Sequence, residues 1–394
     1  MIPRSDPKHD DAPFGAPTGA NEKGVAPFLD GAPPASPPPF PPVFYELRAL
    51  ARELGLAALG LAPAGDAASF DVFLKRVRGG YCANLAYLTD EPEKRRSPRS
   101  VLPDVKTVVA VALSEKRLRE ESSAAADALL NAPELRGSGA DRQPSDARRG
   151  GAVLGYATCL DYHDVLRKKL KALAAFFKER FPDAATRIAV DTAPLLEKDW
   201  ASAAGLGFVG LNSLLVVPGF GSRVFLGELL VSVPFETLCG YSTQADYLAA
   251  RAALRVCEGE RTVDYEKARD ACLTCRRCLD ACPTEAIVGD RTIDSRRCLN
   301  YWTIENRDEI PDDIAQKLDG RLFGCDLCQQ VCPWNADVDR AAPRELPLDA
   351  VERLDDATFR KLFKKTPIFR ATVDGLKRVS SALRKEEEEE QQER

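Results

Sequence analysis

Apolar residues recur along this chain with two periods. Leu166, Leu170, Leu173 and Phe177 stand at i, i+4, i+7 and i+11, with Arg167, Lys168, Lys169 and Lys171 off that stripe, which predicts a helix with one buried face. VFYELRALARELGL, starting at Val43, has the same period and closes at Gly55. KTVVAVAL, Lys106 to Leu113, is a β-branched run suited to a buried strand. RIAVD predicts another strand, with Asp191 at its C-terminal end. LEKDWASAAGLG predicts a short helix stopped by Gly205 or Gly207, and SLLVV and VFLGELLVSV two strands joined through PGFGS. Ligands of open α/β sheets gather beyond the carboxyl ends of strands, so Asp191 is either the cap of the helix that follows it or a group that faces a ligand.

The periodicity fails in three places. Residues 1–42 hold twelve of the 28 prolines and few large apolar groups, which predicts a disordered, partly polyproline tail. From about Glu115 to Gly151 the chain is polar and small-residue-rich, which predicts a surface insertion. After about Ala245 it turns to cysteine-rich loops, and beyond Asn335 to helical segments (LDDATFRKLFKK, TVDGLKRVSSALRKEEEEE) ending in a solvated glutamate run. The expected division is a tail over 1–42, an α/β body over 43–245, a cysteine-rich domain over 246–345 and a helical tail over 346–394.

Composition narrows the chemistry. No run approaches the roughly 18 apolar residues of a membrane span, and MIPRSDPKHDD lacks a signal peptide's apolar core, so a cytoplasmic protein without membrane attachment is expected. The net charge of −5 resides in the two ends, which carry −2 and −3, so residues 43–383 are neutral and nucleic-acid binding would need a local basic face. Histidine occurs only as His9 and His163, too few for an imidazole-rich zinc, copper or iron site. Cysteine occurs twelve times, which in a reducing compartment reads as metal or redox chemistry.

The cysteines carry the strongest motif. CLTCRRCLDACP places Cys272, Cys275, Cys278 and Cys282 at C-x2-C-x2-C-x3-C-P, the bacterial ferredoxin run, in which the fourth cysteine ligates a second cluster. Its counterpart is Cys298 followed by GCDLCQQVCPWN with Cys325, Cys328 and Cys332. The crossed pattern predicts two 4Fe-4S clusters, the first held by Cys272, Cys275, Cys278 and Cys332, the second by Cys298, Cys325, Cys328 and Cys282. Structural zinc is the alternative, but a third cysteine two residues on and two CP endings serve no purpose there. Cys82, Cys159, Cys239 and Cys257 read as ordinary buried thiols. Two neighbouring clusters make a wire for single electrons, and no G-x-G-x-x-G after a strand and no P-loop announces a nucleotide acceptor.

Together with these runs, DTAPLLEKDWASAAGLGFVGLNSLLVVPGFGSRVFLGELL (191–230), GYCANLAYL, EKRRSPRSVLPDVKTVV, LDYHDVLRKKL and CLNYWTIE resemble the epoxyqueuosine reductases, over roughly Val43 to Asn335. The resemblance implies an α+β chain: an N-terminal α/β, nitroreductase-like, cobalamin-binding domain, a two-cluster ferredoxin-like domain and a short helical tail. It implies removal of the epoxide oxygen of epoxyqueuosine at the tRNA wobble position, the last step of queuosine synthesis, with electrons passing from the clusters to cobalamin. Asp191 matches the family's proton donor, which would keep its proton through desolvation. Tyr162 and His163 would line the pocket, and Gly207, Gly210, Asn212 and Gly227 would contact the cofactor. LDYHDVL lacks the glycine of D-x-H-x-x-G, so no histidine ligand to cobalt is implied. A flavodoxin- or ferredoxin-type donor and a monomer are expected.

The chain departs from the family pattern at Leu211, where a basic residue usually precedes Asn212, at Cys82 in place of histidine, and at Cys159 and Leu160 in place of Gly-Arg. Two alternatives therefore stand: a corrinoid reductase of a small molecule, and an electron-transfer protein without a catalytic site. Candidate tRNA contacts are Lys94, Arg95, Arg96, Arg99, Arg167 to Lys171, Arg296, Arg297, Arg360, Lys361, Lys364 and Lys365, each of which could instead lie on a solvated helix face.

Overall fold

The computed structural model describes residues 40–136 and 150–393 apart from positions 253, 255, 256, 258 and 262, with side chains described to residue 385. The proline-rich tail up to residue 39, residues 137–149 of the expected insertion, and the side chains of the glutamate run lie outside the described residues. Order starts slightly earlier than the proline pattern suggests: Phe40 is buried and its ring stacks on Phe44 with centroids 4.1 Å apart, and Pro42 opens the first helix, Pro42–Glu53. Proline is suited to that position because its missing N–H would have no partner there in any case.

Strands follow as β1 (Ala58–Pro63), β2 (Thr107–Ser114), β3 (Gly150–Val153), β4 (Thr186–Ala189), β5 (Phe208–Val209), β6 (Leu215–Val216) and β7 (Val224–Val231). The main sheet runs β1-β2-β7-β4 with every pair antiparallel. The α/β pattern of the body therefore does not produce a parallel sheet, and the ligand rule for parallel strands has no purchase here. Both faces are buried. On one, Phe225, Leu229 and Val231 pack against the helices Pro42–Glu53 and Tyr162–Arg180, the latter contributing the predicted stripe of Leu166, Leu170, Leu173 and Phe177, all fully buried. On the other, Val224, Leu226 and Leu230 meet Trp200 and Ala201 of the helix Glu197–Ala203. SLLVV and VFLGELLVSV do not lie in one sheet: β6 pairs with β5, and a bridge between Val217 and Gly221 closes the PGFGS turn before β7 enters the main sheet.

The segment after Ser114 corrects the insertion reading over its first half. Glu115–Leu130 is a helix whose start is capped by the Ser114 hydroxyl, which accepts from Arg117 N–H at 3.2 Å, and it buries Leu118, Ser122 and Leu129. Its buried face is hard to read in the sequence because it includes Glu115 and Ser122 beside only two leucines. After the hairpin of β8 (Ile287–Gly289) and β9 (Thr292–Ile293), β10 (Arg321–Phe323) pairs parallel to β3 and β11 (Arg344–Pro347) pairs antiparallel to it. Around this three-stranded sheet forms a second core that includes Leu129, Leu135, Val153, Leu299, Phe323, Leu346, Phe359, Phe363, Leu376 and Val379. The C-terminal helices are thus one wall of a core shared with the cysteine-rich region, not an appendage.

A buried polar clamp fixes the two parts. Arg223, just before β7, reaches Glu115 at 3.2 Å and Asp326 at 3.0 Å, all three almost fully buried. Ser222 N–H donates to Asn335 Oδ1 at 2.8 Å and its hydroxyl to Gln329 Oε1 at 3.1 Å. Gly221 has φ +58°, and a Cβ there would lie 1.9 Å from Asn335 Oδ1, so only glycine lets the PGFGS turn approach PWN. The polar residues of GCDLCQQVCPWN hold this joint.

Candidate functional site

Beyond β4 the chain passes buried Val190 and turns sharply at Asp191, whose φ of +55° lies in the left-handed region. Such a conformation costs of order 1 kcal/mol in a non-glycine residue and persists where its surroundings enforce it. Here Asp191 N–H donates to the Glu197 carboxylate, and the buried Arg95 guanidinium donates to the Leu195 carbonyl at 3.1 Å and the Tyr87 carbonyl at 2.8 Å. The Asp191 carboxyl is left 57% exposed, aimed out of the sheet edge.

Asp191 meets the N-terminus of the helix Tyr162–Arg180. Asp161 caps that helix, accepting from His163 N–H at 2.9 Å, and also faces His163 Nδ1 at 2.7 Å. His163 Nε2 lies 3.1 Å from Asp191 Oδ2, and Tyr162 Oη donates to the same oxygen at 3.4 Å. Tyr162 stacks on His163 and on Phe225, at 4.1 and 4.4 Å between centroids. Burial alone would lower the pKa of His163, but its hydrogen bonds to the Asp161 and Asp191 carboxylates outweigh it and raise it to about 9. The hydrogen bond from His163 holds Asp191 below the usual carboxylate range against burial. Burial, then the charge of Asp191, pushes the Tyr162 phenol far up, so it remains a donor. This corrects the expectation that desolvation keeps a proton on Asp191. The proton resides on the imidazolium between two carboxylates, one hydrogen bond from Asp191.

Two further acids stand behind Asp191. Glu197 is pushed up to about 7 by burial and the charge of Asp191. Glu228, in the middle of β7 and fully buried, is raised well above the ordinary range by burial and by the charge of neighbouring Glu197. Lys198 is lowered to about 8 by burial and donates to the Ser213 carbonyl at 2.6 Å. The C-terminal part forms the rim: Asp161 N–H donates to the Lys365 carbonyl at 2.8 Å, Arg370 pairs with Glu305 at 2.8 Å and lies 5.9 Å from the Tyr87 ring, and Arg167 reaches Thr192 Oγ1 at 3.4 Å.

Cys272, Cys275, Cys278 and Cys332 line one cavity of about 210 Å³, together with Gly210, Leu211, Asn212 and Trp334. Cys278 is raised to about 11 by burial and then by the charges of Cys272 and Cys332. Cys325, also raised to about 11, is affected by burial and then, among cysteines, by Cys298, while Cys328 is raised by burial and by Cys325 and Cys298, with Cys282 a smaller contributor. Cys332, the last cysteine of the second run, thus lines the cavity of the first run's cysteines. Among the described residues no three His, Cys, Asp or Glu side chains converge to chelate one ion. Thiols spread around a cavity suit a multi-iron cluster, whose positive charge would offset the mutual repulsion of the thiolates.

Other expected contacts are placed differently. A Cβ on Gly207 would lie 2.0 Å from the Val216 carbonyl, and one on Gly227 would lie 3.0 Å from Leu170, so both glycines serve internal packing rather than an open cofactor face. Gly210 and Asn212 border the cysteine cavity. Arg95 is spent on loop carbonyls, and buried Lys169 donates to the Leu54 carbonyl at 2.6 Å and to Glu121 at 2.8 Å, so neither faces a phosphate. Lys94, Arg96, Arg296, Arg297, Arg360 and Lys361 are paired with nearby acids. Arg99, Lys168, Lys171, Lys364 and Lys365 are exposed. Cys82, Cys159, Cys239 and Cys257 are buried thiols, as expected.

Residues 271–335 match the family model of a 4Fe-4S double cluster binding domain. Fold and site together define an iron–sulfur oxidoreductase. Residues 95–192 match the model described as epoxyqueuosine reductase QueG, DUF1730. An epoxyqueuosine reductase of Gloeobacter violaceus is 34% identical over 86% of this chain and 94% of its own. Two solved epoxyqueuosine reductases superpose with a TM-score of 0.65 each. One holds an epoxyqueuosine-modified tRNA-Tyr stem loop, at 25% identity over 86% of this chain and 81% of that one. The other, from Bacillus subtilis, has an aspartate-bearing catalytic loop swung out of its active site, at 26% identity over 86% and 81%. The chain belongs to the epoxyqueuosine reductase family. Among the described residues no helix is long and apolar enough to cross a membrane.

Proposed function

We propose that this chain reduces epoxyqueuosine to queuosine in the anticodon loop of tRNA, with Asp191 handing a proton to the departing epoxide oxygen. The observation that carries the reading is the Asp191–His163–Asp161 array: an exposed carboxylate on a strained turn, hydrogen-bonded to an imidazolium, in a chain that also carries a double-cluster domain. An epoxide oxygen leaves as water only if protonated, and a donor near pKa 9 backed by two carboxylates holds its proton at neutral pH yet can release it to a developing alkoxide. Asp191 acts as the exposed end of that array, and Tyr162 fixes its orientation.

The cluster ligands are proposed as Cys272, Cys275, Cys278 and Cys332 for one cubane and Cys298, Cys325, Cys328 and Cys282 for the other. Cobalamin fits beside Asp191, where half-buried Phe225 stacked on Tyr162 offers an apolar wall for a macrocycle. When bound, these groups would supply single electrons to the substrate carbon. Arg167, Lys365 and Arg370 on the rim would meet the phosphates of the stem loop, as Arg and Lys position nucleic acid without reading its sequence. The test is conversion of tRNA from cells that accumulate the epoxide: the anaerobically purified, cofactor-replete enzyme with a reduced flavodoxin should form queuosine. Tight tRNA binding without conversion would contradict the reading.

A further inference from the structure

Glu228 is out of place by every rule of strand burial. It stands between Leu226 and Leu230 on the sheet face covered by the helix Glu197–Ala203, is fully buried, and neither of its carboxylate oxygens receives a hydrogen bond from a donor. Its polar neighbour is Glu197, whose carboxylate accepts from Asp191 N–H. Two carboxylates in contact inside a dry site cannot both ionise, whereas one proton turns the contact into an O–H···O hydrogen bond and gives Glu228 its missing partner. The charged groups around the pair are Asp191 and His163 at the mouth, the Tyr162 phenol, Arg95 and Lys198. Arg95 is engaged with carbonyls and Lys198 with Ser213, so neither cation neutralises the pair through a hydrogen bond. A leucine at 228 would continue the apolar row without any burial cost, so stability alone does not account for the acid.

We propose that Glu197 and Glu228 share one proton, so that Glu197 keeps accepting from Asp191 N–H and holds the turn that presents the Asp191 carboxyl to the substrate oxygen. The inference rests on the epoxide-reduction reading for its use. In that reaction both C–O bonds break, a C=C bond forms, two electrons enter from the external one-electron donor, and oxygen leaves as water with two protons. Both protons reach the oxygen through the exposed Asp191 carboxyl, to which His163 is hydrogen-bonded. Two solvent protons restore the resting state through the exposed Asp191. Glu197 and Glu228 are therefore positioning residues that act through Asp191.

The test is infrared difference spectroscopy of the holoenzyme in H2O and D2O combined with the pH profile of turnover. Wild type at pH 7 should show a deuterium-sensitive protonated-carboxyl stretch that Glu228→Gln and Glu228→Leu both lack. Glu228→Leu should keep or raise Tm, which controls for folding. Glu228→Leu should keep KM for tRNA while kcat falls about tenfold across the pH profile, and Glu228→Gln, whose amide can still donate to Glu197, should recover most of that loss. Absence of the band in wild type, or a Glu228→Leu enzyme with wild-type kcat, overturns the proposal. A wild type that shows the band but forms no queuosine overturns the assigned reaction and leaves the shared proton standing.

Discussion

Asp161→Asn tests the electrostatic core of the site through a single observable. His163 is raised from 6.5 to about 9, which corresponds to about 3 kcal/mol of preference for the imidazolium. The Asp161 contact is the shorter, 2.7 Å against 3.1 Å, and the better shielded, so it carries the larger share. Asparagine keeps the helix cap but removes the charge, and His163 should fall by roughly 1.5 units, toward about 7.5. The sign follows from a raised folded-state pKa: the contribution to stability is complete below about 6.5 and is lost as pH rises through about 9 in wild type, and through the lower value in the variant. The chain has only two histidines, and His9 lies outside the described residues, so imidazole-labelled protein gives two resonances, of which the one that Asp161→Asn moves is His163. A wild-type His163 titrating near 6.5, or one unmoved by Asp161→Asn, would refute the reasoning. The alkaline limb of kcat should track the same shift.

Asp191→Asn should lower kcat by roughly 10²–10⁴ while leaving iron content and tRNA affinity intact, measured by single-turnover assays and filter binding. Cys332→Ser and Cys282→Ser should each damage the cluster of the opposite run; in electron paramagnetic resonance Cys332→Ser should resemble Cys272→Ser, and Cys282→Ser should resemble Cys298→Ser. Arg223→Ala leaves Glu115 and Asp326 buried without their shared cation, and should cost about 3 kcal/mol in denaturant unfolding even though it touches no cofactor. Loss of the double-cluster iron on chelation should lower Tm, because a cluster that binds the folded chain and not the unfolded one stabilises the fold.

What the chain declares locally, the structure returns. The stripe Leu166, Leu170, Leu173 and Phe177 is a buried helix face, RIAVD leads into Asp191, and Cys272, Cys275 and Cys278 face one cavity, because each signal is written within a dozen residues. What depends on distant partners was not legible. The antiparallel order of β1, β2, β7 and β4 has no local mark, and the C-terminal helices enter the second core through residues more than 200 positions from Leu129 and Leu135. Arg95 and Lys169 look like phosphate contacts by type, and only burial shows them holding carbonyls and Glu121. Glu228 did leave a signal, a single acid in the apolar run VFLGELLV, and it passed unnoticed because the strand period alone accommodates one polar position. Asp161 was hidden by the DYH motif, which draws attention to Tyr162 and His163 rather than to the cap that charges them.

The central claim is that a double-cluster region serves a corrin-dependent site at Asp191. Iron, sulfide and cobalt analysis of one anaerobically reconstituted sample, with its absorption spectrum, addresses it directly. The account predicts about eight irons with matching sulfide and one retained corrinoid per chain. A full complement of iron with no cobalt retained after gel filtration would contradict it and leave only a conductor of electrons.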